Sequence, residues 1–195
     1  MQTLPVSGFP IVDPEAADPE LSHLYDKVKK ITGLPVVPNW ATALAISPNS
    51  LHIYLQMYTA FNHYLNLPQA IVPMILYAVA TARNCNYCSI TNEMYCRTLG
   101  VEEETLDMMA NDLDNVSPDR LRAIIQFSLR CALEPQMLTP EDYDSVREQG
   151  INDDELAQII FLAALANFND TLADSMKIDV EDHILDALGS SPRNN

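Results

Sequence analysis

Residues 83–100 read RNCNYCSITNEMYCRTLG. No proline interrupts this stretch, and its only glycine is the last residue, Gly100. It reads as a helix from Asn86 to Leu99 stopped by a C′ glycine. Each helical residue turns the chain by about 100°, so Cys85, Cys88, Asn92 and Cys96 share a sector roughly 80° wide. Cys85 and Cys88 lie one turn apart, with Cα atoms about 5 Å from each other, inside the disulfide window. Unpaired amides and the positive dipole end near Cys85 favour a thiolate. The spacing alone leaves three readings open. One is a reversible dithiol, and another is a pair of small buried hydrophobes. The third is a zinc site, which needs about four ligands; His23, His52, His63 and His183 are scattered singly, and no second Cys-x-x-Cys exists. Cys96 is about 12 Å along the axis from Cys88, too far for a disulfide on a straight helix. Cys96 and Cys131 read as core residues.

Further helices surround this one. Pro19–Ile31 carries Leu21, Leu24, Tyr25 and Val28 on one face. Trp40–Ile46 is a short helix. Ser47-Pro48 opens a helix to about Leu65, with Leu51, Leu55, Tyr58, Phe61 and Asn62 as its stripe. Leu67-Pro68 opens the next, reaching Arg83; Pro73 either kinks that helix or marks its true start. Glu102–Asp112 is polar and acidic. Ser117-Pro118-Asp119 caps a helix whose stripe is Leu121, Ile124, Ile125, Ser128, Leu129 and Ala132. Thr139 to Asp142 resembles a capping box, and that helix ends at Gly150. Asn152 to Glu155 caps another with Leu156, Ile159, Ile160, Ala163, Ala164 and Asn167 along one face, and Thr171–Leu188 is a separate amphipathic stretch. No strand-period segment or internal repeat stands out. The expected fold is all-α, with eight to ten helices in one domain over 18–190. A proline-punctuated extended arm covers 1–17, and a loose tail 191–195.

Composition agrees with a helical domain. The chain has 195 residues, 48% of them hydrophobic, and only 5 glycines. Its formal charge of −16 repels nucleic acid and anionic membrane surfaces. The N-terminus lacks the basic and apolar regions of a secretory signal, and no run of 18 apolar residues reads as a membrane span. Four cysteines without an export signal fit a reducing compartment, so the expected setting is soluble and cytoplasmic.

The order of these segments resembles the carboxymuconolactone decarboxylase-like superfamily, in particular its alkylhydroperoxidase D and peroxidase-related branch. The focus is Asn84-Cys85-Asn86-Tyr87-Cys88 with the helix ending at Leu99-Gly100. It continues through Ser117-Pro118-Asp119-Arg120, Leu138 to Asp142, Gly150 to Glu155 and Ala166-Asn167-Phe168-Asn169. The resemblance implies an all-α homo-oligomer and thiol peroxidase or disulfide reductase chemistry, without metal, haem, flavin or other cofactor. Cys85 and Cys88 would be the catalytic pair, acting on a hydroperoxide or a disulfide, and an external thiol reductant or thiol reductant protein would restore the dithiol.

Two positions depart from the family pattern. Asn92 stands where the family has a histidine, and Pro73 where it has a glutamate. Asn92 cannot take up a proton near neutral pH. Asn92, Tyr87 and Cys96 are the supporting candidates around the pair, and His52 or His63 would have to arrive from an earlier helix to replace the lost base. Two other functions fit the same residues: an oligomeric scaffold or binding protein with silent cysteines, and a small-molecule enzyme using a pocket near Asn92 without thiol turnover.

Overall fold

The computed structural model describes residues 11–189. Among them are ten α-helices and no strand: α1 (Pro19–Thr32), α2 (Asn39–Leu44), α3 (Pro48–Tyr64), α4 (Ile71–Ala82), α5 (Asn86–Thr98), α6 (Glu103–Asn111), α7 (Asp119–Leu133), α8 (Pro140–Glu148), α9 (Asp153–Met176) and α10 (Asp182–Leu188). Short polar side chains start several of them by accepting from an otherwise unpaired first-turn amide. Asp18 takes the Leu21 N–H at 2.9 Å, and Ser47 takes that of Ser50 at 3.3 Å. Asn152 and Glu155 form a reciprocal capping box, each accepting the other's backbone N–H at 3.0 Å.

The centre of the fold is α4, packed against α5, α7 and α9. Met74, Ile75, Tyr77, Ala78, Val79 and Ala80 are all buried, so this helix is enclosed almost all round. Its far side joins α6, α7 and α9 in one large core that includes Cys96, Leu106, Ile125 and Leu162. A second core packs α1 and α2 on α3 through Leu21, Leu24, Val28, Leu51 and Leu55. A third, smaller one surrounds Cys85 and Cys88 with residues of α4, α5, α9 and α10.

Several boundaries differ from the sequence reading. The apolar segment after Leu67-Pro68 becomes helical only at Ile71. Pro73 therefore falls in the first turn, where its missing amide costs nothing, and no kink is needed. Helix α7 starts at Asp119 with Pro118 in the cap position, and Ser117 makes no capping bond. The stretch beginning at Thr171 is not separate. Helix α9 runs unbroken to Met176, and the break comes at Lys177, whose φ is +53°. The buried face of α9 is also rotated from the expected stripe. Leu156, Ile159, Ala163, Ala166 and Asp170 are buried, whereas Ile160 and Ala164 are exposed.

By length and composition α9 would suffice to cross a membrane, contrary to the expectation that no segment would. It packs against α4, α5 and α7 as a core helix.

The arm expected over 1–17 lies largely outside the described residues, as does the tail 191–195 and the side chain of Asn62. Residues 11–17 pack on the chain's own first helices. Val12 and Ala17 join the second core, and the Tyr25 hydroxyl donates to the Val12 carbonyl at 3.0 Å.

Candidate active site at the start of α5

A three-residue corner sets the site. Helix α4 ends at Ala82, Asn84 adopts φ +59°, and Cys85 is extended at φ −77°, ψ 102° as the N-cap of α5. Asparagine is among the few residues other than glycine that enter the left-handed region at modest cost. The corner is closed by the Cys85 N–H donating to the Ala80 carbonyl at 2.9 Å. It folds α5 back along α4 and turns Cys85 and Cys88, one turn apart, into the third core. Cys85 is fully enclosed and Cys88 nearly so.

A third polar group meets them there. Asp170, from the middle of α9, is 1% exposed. The two sulfur atoms and one of its carboxylate oxygens all lie within 4.8 Å of one another. The Arg83 Nε is 3.3 Å from Asp170 Oδ2. Neither carboxylate oxygen receives a hydrogen bond of regular geometry; the guanidinium and the two thiols are the polar groups that face them. Burial pushes the Asp170 carboxyl up to about 6, although Cys88, Arg83 and Cys85 pull it down. The Cys88 thiol is held far above the ordinary thiol range, first by its contact with Cys85, then by burial and the negative charge of Asp170. A thiolate is therefore disfavoured at Cys88 in the resting protein. Desolvation and two close acidic neighbours outweigh one helix terminus.

Cys88 also lines a cavity of about 750 Å³; Cys85 does not. Its walls include Trp40, Tyr54, Tyr58, Tyr87 and Tyr95. Trp40 and Tyr54 have ring centroids 4.8 Å apart. The Tyr54 hydroxyl donates to Asn169 Oδ1 at 3.1 Å. Burial raises the pKa of the Tyr54 and Tyr95 phenols, so both stay neutral. Glu181 is the one charged side chain in the lining, and its Oε1 is already engaged. It accepts the Asn39 N–H at 2.7 Å and the Tyr87 hydroxyl at 3.1 Å. Apart from the Glu181 carboxylate, whose Oε2 is buried without a hydrogen-bond partner, the cavity offers mainly apolar rings and neutral hydroxyls.

The remaining candidates fall as follows. Tyr87 sits between the cysteines in sequence, but its hydroxyl is bound to Glu181 and to the Trp40 N–H at 3.3 Å. Its role is to fasten α5 to α2 and the start of α10. Asn92 lines the cavity and donates Nδ2–H to the Cys88 carbonyl at 2.8 Å. Pro73 lines the same cavity farther along α4. Cys96 is buried in the large core and Cys131 is half-buried against it, both away from the pair. All four histidines are exposed, and none lines the cavity. His52 lies 3.3 Å from Gln56 Nε2, and His63 packs edge-on against Tyr64. Neither replaces the histidine missing at Asn92.

Asp170 escaped the sequence reading, which divided the chain at that point. The available signal was its spacing: 156, 159, 163, 166 and 170 are one helical face, and an aspartate on an apolar face is out of place.

No protein-family model matches the chain, and neither does any curated protein. Solved structures do match. One is the alkylhydroperoxidase AhpD core of an uncharacterized peroxidase-related protein from Ralstonia eutropha JMP134, with TM-score 0.82 and 21% identity, covering 93% of this chain and 96% of that one. Another is an uncharacterized peroxidase-related protein from Silicibacter sp. TM1040, with TM-score 0.78 and 20% identity, covering 94% and 97%. A third is the debrominase Bmp8, a cysteine-to-alanine variant in complex with 2,3,4-tribromopyrrole, with TM-score 0.77 and 14% identity, covering 94% and 98%. At these identities the likeness is one of fold, and the chain has the all-α fold of the alkylhydroperoxidase D core.

Proposed function

We propose that this chain is a two-cysteine thiol oxidoreductase that reduces a small organic hydroperoxide. The observation that carries the reading is the different placement of the two sulfurs. Cys88 faces the cavity, and Cys85 is enclosed behind it, its sulfur within 4.8 Å. The first meets substrate and the second waits to resolve. Cys88 sulfur bonds to one peroxide oxygen as the O–O bond breaks, giving Cys88 sulfenic acid and an alcohol. Cys85 then displaces the hydroxyl, forming a disulfide and releasing water. Two equivalents of an external thiol reduce the pair and become a disulfide themselves. No metal or cofactor enters this scheme. The aromatic lining supports an organic substrate over hydrogen peroxide. That the debrominase Bmp8, of the same fold, was captured with an aromatic molecule is in keeping with this choice.

The test is hydroperoxide consumption by purified protein with excess dithiothreitol, comparing cumene hydroperoxide with hydrogen peroxide. The expected result is consumption above the dithiothreitol background, faster for the organic peroxide and lost in Cys88→Ser. Consumption no faster than background for either peroxide would sink the reading. The oligomeric scaffold or binding protein with silent cysteines would then be the better account.

A further inference from the structure

A dithiol buried this deeply needs somewhere for its protons to go. The Cys88 thiol is held protonated, and a thiol is a far weaker nucleophile than a thiolate. The positions expected to supply a base hold Asn92 and Pro73. Asn92 has no basic atom, and its amide is already bound to the Cys88 carbonyl. None of the histidines lies at the cavity. The one basic oxygen pair against the sulfurs belongs to Asp170.

We infer that Asp170 is the proton acceptor of the dithiol, serving Cys88 and Cys85 in turn from the protein side of the cavity. Its position suits this because one carboxylate faces both sulfurs at once. It is enclosed, so it holds a proton without exchanging it freely with water. The groups that bear on it are few. Cys85 and Cys88 come from α5, Arg83 from the end of α4, and Asp174 from the next turn of α9. Helix α7 meets this part of α9 through Ala132, which packs on Ala163 and Ala166 and accepts the Asn167 Nδ2–H at its carbonyl at 2.7 Å, and brings no charged group to Asp170. Arg83 anchors the carboxylate and stops burial from protonating it outright, and its side chain is about one-third exposed. The result is a carboxyl poised near 6, ionised at neutral pH and able to take a proton.

The inference rests on the two-cysteine reading for its redox steps. In the first, the Cys88 proton moves to Asp170 as sulfur attacks the hydroperoxide. The departing alkoxide takes the proton of the new sulfenic hydroxyl, and Asp170 returns its own to the sulfenate oxygen on Cys88. In the second, Asp170 takes the Cys85 proton as that sulfur displaces hydroxyl from Cys88, and passes it to the hydroxide, which leaves as water. Asp170 ends each step ionised.

The experiment measures the rate at which iodoacetamide alkylates Cys88 in the reduced protein, by peptide mass mapping, from pH 5 to pH 8. It compares wild type, Asp170→Asn and Arg83→Gln. Alkylation needs the same deprotonation but no peroxide, so it decides the role of Asp170 even if hydroperoxide turnover is absent. Wild type is expected to lose rate as pH falls through about 6. Asp170→Asn should react more slowly at pH 7 and lose that limb. Arg83→Gln should keep the limb and move it to higher pH, because the carboxyl loses its cation. Where turnover is present, Asp170→Asn should lower it about 10²–10⁴-fold. The opposite sign overturns the inference. A carboxylate that merely repels the thiolate would make Asp170→Asn faster than wild type, and an unchanged pH profile would equally exclude proton transfer. A matched helical circular dichroism spectrum ensures that the variants compared are folded.

Discussion

The two ends of α5 carry the same residue type on the same face and have different surroundings. At the start, Cys85 and Cys88 meet Asp170, Arg83 and an aromatic cavity. Two turns beyond Cys88, Cys96 is equally enclosed, but its neighbours are the apolar side chains of the large core. Burial raises the Cys96 thiol to about 12, chiefly by desolvation. Cys88 and Cys96 are therefore both protonated thiols at neutral pH. What separates them is the presence of a group able to remove the proton and a space able to admit a substrate. Low exposure and a raised thiol pKa do not by themselves distinguish a reactive cysteine from a structural one.

The sharpest way to break this comparison is to exchange the predicted roles. Cys88→Ser should abolish hydroperoxide reduction, with no sulfenic acid trapped by dimedone. Cys85→Ser should still react once and accumulate a trappable sulfenic acid on Cys88, because the resolving sulfur is gone. Trapping on Cys85 in the Cys88→Ser variant would reverse the assignment.

The next effect concerns stability and has a definite sign. The folded-state pKa of Asp170 is raised from 3.8 to about 6. Below about pH 4 the carboxyl is protonated in the folded and unfolded chains alike, and its titration costs the fold nothing. As pH rises from about 4 to about 6 the unfolded chain loses this proton while the folded carboxyl keeps it, and stability falls by at most about 3 kcal/mol in all. Asp170→Asn should therefore be the more stable protein above pH 6, and equal to wild type near pH 4, in urea unfolding at both pH values. Arg83, partly exposed, can be hydrated when its partner is removed. A variant less stable at pH 8 would show that the Arg83 pair outweighs the burial cost.

The smallest effect belongs to the other end of the helix. Cys96→Ser places a hydroxyl in an apolar core at a cost of about 1–3 kcal/mol. It should leave the rate of Cys88 alkylation unchanged. A loss of reactivity without a loss of stability would mean that the two ends of α5 are coupled in a way that packing does not explain.

Much of the framework was legible. Capping residues such as Ser47 and Asn152 act on amides within three positions, so their spacing announces the helix starts they make. The cysteine pair is equally local, because one helical turn fixes its geometry. Less legible were features that depend on which face of a helix is covered. Helix α9 is apolar over most of its circumference, so Ile160 and Ala164 competed with Leu162 and Ala166 as candidate core residues. Choosing the wrong phase took Asp170 off the buried stripe. Pro73 was ambiguous for a related reason, since a proline is compatible with a helix start and with a kink, and the neighbours of α4 decide between them.

The sequence alone thus determined the helical class, the spacing of Cys85 and Cys88, and the absence of a base at Asn92. All three follow from interactions a few residues long or from side-chain chemistry itself. Only the tertiary structure decided that Cys88 faces the cavity, that Cys85 lies behind it, and that Asp170 and Arg83 meet the pair. Those relations join α4, α5 and α9 across long stretches of chain. They exist because packing apolar faces together buries whatever polar group those faces carry.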